Sequence, residues 1–339
     1  MTISNRIRNT SSFQLLQGLK AKLIKEKNNI IINFKIFFKW YVDSKYLPLT
    51  KNHWKLYKII HFKMYNLLNK FPDLIDCKDF NDKIQWLKLF DQDELLIQCS
   101  DKIMVREYIK EKIGIEYLVK LYQVHDFFSE IDFISLPNSF VIKTNHDSGT
   151  VILVKDKSKL DIVFAKSKIE ASLKKTFGWE NGEWAYAFIQ PKILIEEYID
   201  PLNEAPPADY KFQCVDGKVK FCRYTFDRGI DTKEIVLDEY GNDLGFIIDE
   251  QFKKGSLFVR NSSWNSMINL ANKISEDFKC VRVDMYCSGN SIYIGELTFF
   301  PYFGMYSGEG QKKVGSLLDF SRDTFKDPLI NRLNSKKGI

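Results

Sequence analysis

The sequence lacks the motifs that identify several common enzyme classes. No GxSxG, GxxxxGK[ST] or GxGxxG segment occurs, so a serine-hydrolase site, a Walker loop and a Rossmann dinucleotide site have no support. The histidines form no metal-spaced cluster, which argues against zinc-dependent hydrolysis. The sequence contains no run of 18 apolar residues, which is the length that a membrane-spanning helix needs. The first residues are not followed by the apolar h-region of a signal peptide.

Cysteine is scarce and scattered. The six cysteines among 339 residues include no CxxC pair, and a chain of this length can bury a core without disulfides or a structural metal. Hydrophobic residues make up 45% of the chain and charged residues 28%, which is typical of a folded globular protein and excludes disorder. We therefore expect one large or two modest domains in a reduced, cytoplasmic setting.

Basic charge is concentrated in the first fifth of the chain. Residues 1–70 carry 14 lysines and arginines against two acidic residues, a net charge of +12, while the remainder is net −6. The pattern predicts helical segments at 30–40 and 50–70, with Thr50 as the N-cap of the second and Pro72 ending it. The predicted inward positions of the second segment are Trp54, Tyr57, Ile60, Met64 and Leu67.

Two interpretations of this basic extension remain open. It can be a helical hairpin that packs on the main domain, which is the more common case. It can instead be a surface that binds an anionic membrane or partner, because lysine beside phenylalanine and tryptophan suits an anionic interface.

From about residue 76 the pattern changes to alternating helices and short strands, which is typical of an α+β chain with two sheet-and-helix lobes. The predicted helices are 101–113, capped by Ser100 and closed by Gly114, one from Ser158 to about Phe177, and one that begins at Ser262 or Ser263. The predicted strands are 140–144, 151–154 and 193–199, followed by hairpins at 210–225 and 281–297.

The last predicted hairpin brings charged residues onto one face. A three-residue turn pairs position 287 with 291, so that Arg282 faces Glu296 and Asp284 faces Ile294. Because side chains alternate between faces, Arg282 and Asp284 then share one side with Glu296 and Thr298. Two carboxylates and a hydroxyl suit Mg²⁺ with phosphate oxygens, and the arginine suits a transferred phosphoryl group. For the hairpin alone, a surface ion pair is the simpler interpretation, and a four-residue turn would separate Asp284 from Glu296.

A loop of small residues, TNHDSGT at 144–150, follows directly on Lys143. Backbone N–H groups in such a loop can close over phosphates, and the strand lysine supplies positive charge, although ordinary hairpin loops have the same composition. His146 could contact phosphate, but a lone loop histidine is more often structural. Lys102 and Arg106 are four residues apart and would share one helix face.

Two further strands carry charged residues in suggestive positions. Glu196 and Glu197 end an otherwise apolar strand, which indicates an edge that ligand or solvent reaches. Asp209 and Lys211 alternate on one face of another strand.

In their order along the chain, these segments resemble the TupA-like branch of the ATP-grasp superfamily. The resemblance runs from about residue 80 (FNDKIQWLKLFD) to about residue 325 and leaves residues 1–75 outside it. It is carried by the blocks SDKIMVREYIKEKIG, SLPNSFVIKTNHDSG, ILIEEYI, DYKFQCVDGKVKF and VRVDMYCSGNSIYIGELTFFP. Five blocks in one order are far more specific than any block alone.

The resemblance implies an ATP-grasp fold, in which two α+β lobes clamp ATP. It implies a catalytic region at 76–330, with lobes at about 135–199 and 205–325, and the residue pattern itself predicts the basic, mainly helical extension at 1–75 that precedes this region. The residues implied to bind ATP are Lys102, Lys143, the loop residues Asn145, His146, Ser148 and Gly149, the adenine hinge of Glu196, Glu197, Tyr198 and Ile199, the ribose-binding Asp209, and Lys211. The implied Mg²⁺ ligands are Asp284, Glu296 and Thr298, and the implied catalytic residues are Arg282 and Lys211.

Three positions depart from the family pattern. The loop reads NHDSGT where family members commonly carry NHGSGG, so Asp147 is expected to add negative charge beside the triphosphate. Thr298 stands where many ATP-grasp proteins have asparagine, as is common in this branch, and a neutral hydroxyl is a weaker ligand. The segment 301–304 (PYFG) replaces PGSG, which bears on the acceptor site. No carboxylate or lysine is lost, so an active enzyme is expected.

The implied activity is that of an ATP- and Mg²⁺-dependent carboxylate–amine ligase. The family context implies surface-polysaccharide assembly in the cytoplasm, with a sugar acid and an amine or amino acid as partners and no nucleic acid. Residues 1–70 are a candidate contact to the inner membrane face or a lipid-linked glycan.

Two other functional classes remain alternatives. A glycosyltransferase or sugar-phosphorylating enzyme of the same pathway is one, although the only DxD letters, at 91–93, fall in a predicted helix-to-loop segment. A non-catalytic scaffold is the other, and the presence of Lys102, Lys143, Asp284 and Glu296 argues against it.

Overall fold

The computed structural model describes residues 11–199, 208–227, 231–289 and 291–323. The chain divides into two compact units, Met1–Phe71 and Pro72–Ile339.

The N-terminal unit contains the predicted helical hairpin. Its helices are α1 (Ser11–Asp43) and α2 (Trp54–Leu68), and a 3₁₀ turn at Lys51–His53 leads into α2. Thr50 begins this turn, because its backbone N–H and its hydroxyl lie 3.1 and 3.0 Å from Nδ1 of His53. The helix ends at Asn69, whose left-handed backbone (φ 52°) closes the last turn before Pro72 is reached.

The two helices pack through one face of each. Ile32 and Ile36 of α1 are buried, as are three of the predicted inward residues of α2, namely Tyr57, Ile60 and Met64. Leu67 was predicted to face inward, but it is 56% exposed, because it lies in the last turn of α2, where the helix is ending. Trp54 and Trp40 meet edge to face at 5.2 Å, so aromatic packing closes the hairpin.

Three helices open the C-terminal unit: α3 (Phe80–Phe90), α4 (Glu94–Ser100) and α5 (Val105–Ile113). The predicted helix start at Ser100 is wrong, since this residue ends α4. Oδ1 of Asp101 accepts hydrogen bonds from the backbone N–H groups of Ile103 (2.8 Å) and Met104 (3.3 Å), which fixes a turn in place of a helix. Gly114 closes α5 as predicted, with a φ of 116°.

The first sheet is antiparallel, with its strands in the order β1-β4-β2-β3. These strands are β1 (Leu121–His125), β2 (Phe140–Thr144), β3 (Val151–Val154) and β4 (Ile193–Glu197). Helix α6 (Ile162–Leu173) covers the sheet, and its Ala165 and Ile169 join a buried cluster with Ile142 and Ile195. Burial of these aliphatic side chains holds helix and sheet together.

Three boundaries around this sheet differ from the prediction, and one of them is the end of α6, at Leu173 instead of about Phe177. Helix α6 begins after Asp161, whose Oδ1 accepts a hydrogen bond from the backbone N–H of Phe164 at 2.9 Å, whereas the predicted start, Ser158, lies in a preceding 3₁₀ turn. Strand β4 ends at Glu197, two residues before the predicted end.

The second sheet has six strands in the order β10-β9-β5-β6-β7-β8, antiparallel except for the pair of β7 and β8. The strands are β5 (Asp209–Val215), β6 (Lys218–Phe226), β7 (Lys233–Leu237), β8 (Lys253–Lys254), β9 (Cys280–Ser288) and β10 (Ser291–Thr298). Helix α7 (Trp264–Ser275) packs on its centre through Met267, Ala271 and Ile274. A short helix, α8 (Gly310–Gly315), follows.

The predicted α+β class is confirmed, and each sheet has its own covering helix. The six cysteines, all within the described ranges, are free thiols, and five of them are buried. In the part of the chain that the structure describes, no helix combines the length and apolar character needed to cross a membrane.

Candidate active site

Strands β9 and β10 carry the acidic centre of the site, and their register differs from the prediction. Near the turn Ile292 pairs with Cys287 and Ile294 with Met285, which is the type of register that would have separated Asp284 from Glu296. Between Ile294 and Glu296 the register shifts by one residue, so that Gly295 is the extra residue of a β-bulge.

The bulge restores the predicted shared face. Beyond it Glu296 pairs with Asp284 and Thr298 pairs with Arg282, whereas we predicted that Arg282 would face Glu296. The predicted pairs are therefore wrong, while the predicted grouping of four side chains on one face is present.

Arg282 organises this grouping. Its Nε and Nη2 each lie 2.6 Å from an oxygen of Asp284, and Nη2 also donates to the hydroxyl of Thr298 at 3.1 Å. The Thr298 hydroxyl donates to Glu296 Oε1 at 3.3 Å. Burial would raise the pKa of Asp284, but Arg282 and then Lys211 outweigh it and lower that pKa, so the carboxylate is ionised. Glu296 is the more open of the two carboxylates, with a side chain 38% exposed.

Lys211 joins the acidic centre from the neighbouring strand. It pairs with Asp284 across β5 and β9, and its Nζ lies 3.5 Å from Oδ2 of both Asp284 and Asp209. The alternation of Asp209 and Lys211 predicted from the sequence thus puts both on the face of the acidic centre. The cluster of three carboxylates and two cations carries a formal charge of −1.

Lys102 connects the acidic centre with the first sheet. It lies in the turn after α4 rather than on a helix face with Arg106, so that prediction is wrong. Its Nζ donates to the backbone carbonyl of Asp147. Burial lowers its pKa, while the nearby carboxylates of Glu296 and Asp147 oppose this shift.

Asn145 fixes the base of the small-residue loop. Its side-chain amide donates to Asp101 Oδ2 (2.9 Å) and to the Gln190 carbonyl (3.0 Å), and its oxygen accepts from the Lys192 backbone N–H (2.7 Å). Since protein groups engage both ends of this side chain, it positions the loop relative to the Asp101 turn.

Asp147 is turned into the protein instead of towards the loop's outer side. Its carboxylate accepts hydrogen bonds from the hydroxyls of Thr144 (2.7 Å), Ser172 (2.6 Å) and Thr150. Burial acts to raise its pKa, but these hydrogen bonds and Lys102 lower it overall. The carboxylate that was expected to add negative charge beside a triphosphate therefore stabilises the loop through contacts inside the protein.

The other loop residues divide into buried and exposed ones. His146 is buried; burial lowers its pKa, while Asp147 and backbone contacts to Ser172 and Lys175 oppose this shift, so the ring is neutral at pH 7. Ser148 and Gly149 are exposed at the tip. Gly149 has a φ of 102°, which suits glycine, and nothing lies within 4 Å of where a Cβ would be, so its backbone is accessible.

Glu196 of the first sheet forms ion pairs with two cationic side chains. Its buried carboxylate lies 2.6 Å from Nζ of Lys143 and 3.3 Å from Nη1 of Arg106, and Arg106 also donates to the Val119 carbonyl at 2.7 Å. Burial lowers the pKa of Arg106 and Glu196 opposes that shift. The sequence indicated Lys143 and Glu196 as separate contributors, and the structure joins them in one ion pair.

The segment from Glu197 to Ile199 forms the end of β4 and the residues that follow it. The backbone N–H of Glu197 donates to the Lys120 carbonyl at 2.9 Å, and Tyr198 and Ile199 follow the strand end, half-buried. Tyr286 on β9 pairs with Asp209 of β5. Its pKa is raised by burial and then by the charges of Glu196, Asp209 and Glu197, so carboxylates of both sheets act on one phenol.

Sequence reasoning missed two further residues, Tyr186 and Lys88. Tyr186 is half-buried, and its pKa is raised by burial and then by Glu296 and Glu183. Lys88 of α3 is fully buried and donates to the carbonyls of Asn181 (2.9 Å) and Phe303 (2.8 Å). No local signal distinguishes Lys88 from a surface lysine, since its partners come from distant loops.

The segment held by Lys88 directly follows β10. Tyr302 and Phe303 have φ values of 49° and 58°, so two consecutive aromatic residues adopt the left-handed conformation before Gly304. The Gln85 side-chain amide donates to the carbonyls of Phe303 and Gly304, each at 2.8 Å. The segment PYFG, which stands where the family has a glycine-rich segment, is therefore held in a strained backbone conformation by hydrogen bonds from Gln85 and Lys88.

The acidic centre has the donor set that Mg²⁺ takes in a nucleotide site. In the described residues no three His, Cys, Asp or Glu side chains group as a complete metal cage. Mg²⁺ usually binds through one or two carboxylates plus substrate phosphates, and the cross-strand pair of Asp284 and Glu296 beside the Thr298 hydroxyl supplies the protein share. The residues therefore fit the ion in company with phosphate.

Comparison with known proteins gives one family match. The model of the TupA-like ATP-grasp family matches residues 82–318. No curated protein matches the chain.

Several solved structures are distantly similar. D-alanine–D-alanine ligase from Bacillus anthracis complexed with ATP is 15% identical over 60% of this chain and 54% of its own length, with a TM-score of 0.33. The Helicobacter pylori D-alanine–D-alanine ligase is 14% identical over 72% of this chain and 68% of its own, with a TM-score of 0.39. The ATP-grasp ligase PsnB complexed with a minimal precursor is 10% identical over 64% and 58%, with a TM-score of 0.33. The chain spans little more than half the length of the Bacillus anthracis ligase.

Proposed function

The chain belongs to the TupA-like ATP-grasp family, and on this basis we propose that it is an ATP-dependent carboxylate–amine ligase. We propose that the region 76–330 is catalytic and that its lobes, at about 135–199 and 205–325, hold ATP between them. Residues 1–75 form an extension with a separate role.

One observation carries the proposal. Asp284 and Glu296 lie opposite each other on one hairpin face, and Arg282 and Lys211 contact the same face. Paired carboxylates with adjacent cations suit a metal–phosphate complex. The carboxylates coordinate the metal ion, and the cations contact the phosphate oxygens that the metal ion does not coordinate. The exposed loop tip at Gly149 and the carbonyl contact of Lys102 within that loop supply a second phosphate-binding element.

The residues have distinct roles in the proposed reaction. Lys102, Lys143 and Lys211 neutralise the triphosphate, and the exposed backbone around Ser148 and Gly149 covers it. The segment from Glu196 through Glu197 and Tyr198 to Ile199 contacts adenine through its backbone, and Asp209 binds the ribose hydroxyls. Asp284, Glu296 and Thr298 would hold Mg²⁺, which when bound neutralises charge on the phosphates.

The proposed chemistry has two balanced steps. A substrate carboxylate oxygen attacks the γ-phosphorus, and the bond between this phosphorus and the β,γ-bridging oxygen breaks. The products of this step are ADP and an acyl phosphate. The amine nitrogen then attacks the carbonyl carbon, the carbon–oxygen bond to phosphate breaks, and an amide, inorganic phosphate and a proton result. Arg282 stabilises negative charge on the phosphoryl group, and closure of the loop excludes the water that would hydrolyse the intermediate.

The proposed substrates are a uronic or related sugar acid and an amine or amino acid, within capsule, O-antigen or teichuronic-type polysaccharide assembly. The proposed location is the cytoplasm, at the inner membrane face. The net charge of +12 on residues 1–70 supports this location, because an anionic leaflet attracts polybasic segments.

The experiment uses the purified full chain with ATP, Mg²⁺ and libraries of sugar acids and amines. Release of ADP and phosphate that requires both an acid and an amine, with an amide product in mass spectrometry, supports the proposal. AMP as the product would overturn the acyl-phosphate mechanism, because it would show adenylation instead. ADP release with a phosphorylated or glycosylated sugar and no amide would favour a sugar-modifying enzyme.

A further inference from the structure

Helix α1 has an apolar stripe that the hairpin leaves uncovered. Eight large hydrophobic residues of this helix are between 46% and 73% exposed. They are Leu23, Ile24, Ile30, Ile31, Phe34, Phe37, Phe38 and Tyr41. Single exposed apolar residues are ordinary on protein surfaces, but eight of them on one face of a helix indicate an interaction site.

The stripe lies opposite the packed face of the helix. At 100° per residue the eight positions fall within an arc of about 140° centred near Phe34. The buried residues Ile32, Ile36 and Asp43 fall on the other side. Asp43 confirms this packing, since it accepts a hydrogen bond from the Tyr57 hydroxyl of α2 at 2.8 Å. The stripe is therefore not the face that the hairpin itself needs.

Lysines accompany the stripe. Lys20 and Lys27 are exposed and lie within its arc, and Lys35 lies at its edge. Long lysine side chains can keep their charge in the headgroup layer while their stems lie along apolar surface. The extension as a whole carries +12, so two copies of it repel each other, whereas an anionic lipid surface attracts it. Charge complementarity thus selects a lipid surface over a second copy of the chain.

We propose that α1 lies flat in the interfacial layer of an anionic bilayer, with this stripe inserted among the acyl chains. A helix of 33 residues is about 50 Å long, which allows an in-plane contact along several turns. The inference makes the membrane part of the proposed function more specific, because it names the surface and adds an apolar contact to the electrostatic one. It does not depend on the ligase chemistry.

The test is co-sedimentation of the full chain with vesicles of phosphatidylcholine alone and with about 30% phosphatidylglycerol. The stripe variant carries Phe34→Ser and Phe38→Ser. The matched control carries Ile134→Ser and Phe164→Ser, which remove equally exposed apolar side chains (93% and 60%) from the C-terminal unit. We expect the stripe variant to lose about tenfold or more in partitioning to anionic vesicles while the control binds like wild type. Lys20→Glu with Lys27→Glu should also weaken binding, most clearly at low salt.

Three outcomes would overturn the inference. Equal partitioning of the stripe variant and wild type would show that the stripe contacts no lipid. Equal binding to neutral and anionic vesicles would remove the charge argument. A concentration-dependent dimer that the stripe variant abolishes, without vesicle binding, would assign the stripe to a second copy. Asp284→Asn, which impairs the proposed catalysis, should bind vesicles normally, so failure of the ligase proposal is recognised separately.

Discussion

Glu296 lies directly opposite Asp284 across strands β9 and β10, and the bulge at Gly295 is what brings it there. In the register that holds near the turn, Gly295 would face Asp284 and Glu296 would pair with Val283 on the other side of the sheet. One additional residue therefore decides whether the two carboxylates can share a ligand.

Glu296→Gln and Asp284→Asn should each reduce ATP turnover by about 10²-fold or more, because each removes a carboxylate from the proposed Mg²⁺ and phosphate site. Their effects on stability should differ. Glu296 is 38% exposed, so its loss should change the free energy of unfolding by less than about 0.5 kcal/mol. Asp284→Asn leaves the buried Arg282 without its closest partner and should cost about 3 kcal/mol. Steady-state ADP release and urea unfolding measure both, and near wild-type turnover at saturating Mg²⁺ would remove either residue from the proposed ligand set.

Lys143→Ala should raise the KM for ATP and lower kcat with a modest loss of stability, because Arg106 still neutralises Glu196. Adding Arg106→Ala leaves the carboxylate of Glu196, 8% exposed, without a cation and should cost several kcal/mol more than the two single changes together. Additive unfolding energies in the double-mutant cycle would show that Glu196 does not link the two cations. Unchanged nucleotide affinity by calorimetry would remove Lys143 from the ATP site.

Asp147→Asn should destabilise the loop by about 1–2 kcal/mol at neutral pH, since the carboxylate accepts three hydroxyl hydrogen bonds. The pKa of Asp147 is lower in the folded protein than its ordinary value of 3.8, so its stabilisation is complete above that value and is lost as the pH falls through the folded pKa. The difference in Tm between wild type and Asp147→Asn should therefore be constant near pH 7 and shrink below about pH 4. A difference in Tm that does not change with pH would show that the ionised carboxylate of Asp147 does not stabilise the loop.

Lys88→Met should cost about 2–4 kcal/mol in unfolding free energy, because it keeps the buried stem but removes the donor to the carbonyls of Asn181 and Phe303. We also expect a lower kcat, since the segment that Lys88 fixes follows Thr298 by three residues. Lys83→Met is the control on the same helix, with one carbonyl partner, Leu318, in a less buried position. Equal effects of the two substitutions would show that the left-handed segment needs no support from Lys88.

Helix α2 should lose protection from hydrogen exchange at acid pH. Burial lowers the pKa of His61 to about 3, with the contact to the Tyr57 carbonyl opposing and Lys39 assisting, while the unfolded value is near 6.5. The folded pKa is depressed, so stability is full above about pH 6.5 and falls towards pH 3 by up to about 1.4 kcal/mol per unit. His61→Phe preserves the ring stack on Tyr57 at 3.7 Å and should remove this dependence. Identical pH profiles for peptides covering 54–68 would refute it.

Strands β2, β3 and β4 and the two hairpins were predictable because alternating apolar residues and glycine-containing turns are local signals, whereas β1, β7 and β8 were not predicted. The register of β10 could not be predicted, because it depends on a β-bulge and the only sign of that bulge in the sequence is a single glycine within a strand. Gly295 could have indicated the bulge, but pairing numbers taken from the turn alone led to partners two residues away from the true ones.

Charged residues were hardest to place from the sequence. Lys102 was assigned to a helix face because its spacing from Arg106 fits one, but the Asp101 side chain captures the backbone N–H groups that a helix would use. Asp147 was expected to add negative charge beside the triphosphate, yet its carboxylate is turned to Ser172, on a helix 25 residues further along the chain. Such contacts form only when distant elements meet, so no window of sequence contains them.

The bidentate contact between Arg282 and Asp284 has a thermodynamic consequence for how ligands enter. In the protein alone this carboxylate already has a cationic partner, so a bare divalent ion competes with a guanidinium for it. In the proposed site a triphosphate would offer Arg282 other anionic oxygens and would release Asp284 for the ion. We therefore expect Mg²⁺ and ATP to increase each other's affinity by the same factor, as reciprocity of coupled binding demands. The protein would then take up the metal–nucleotide complex as a unit and bind either component alone only weakly.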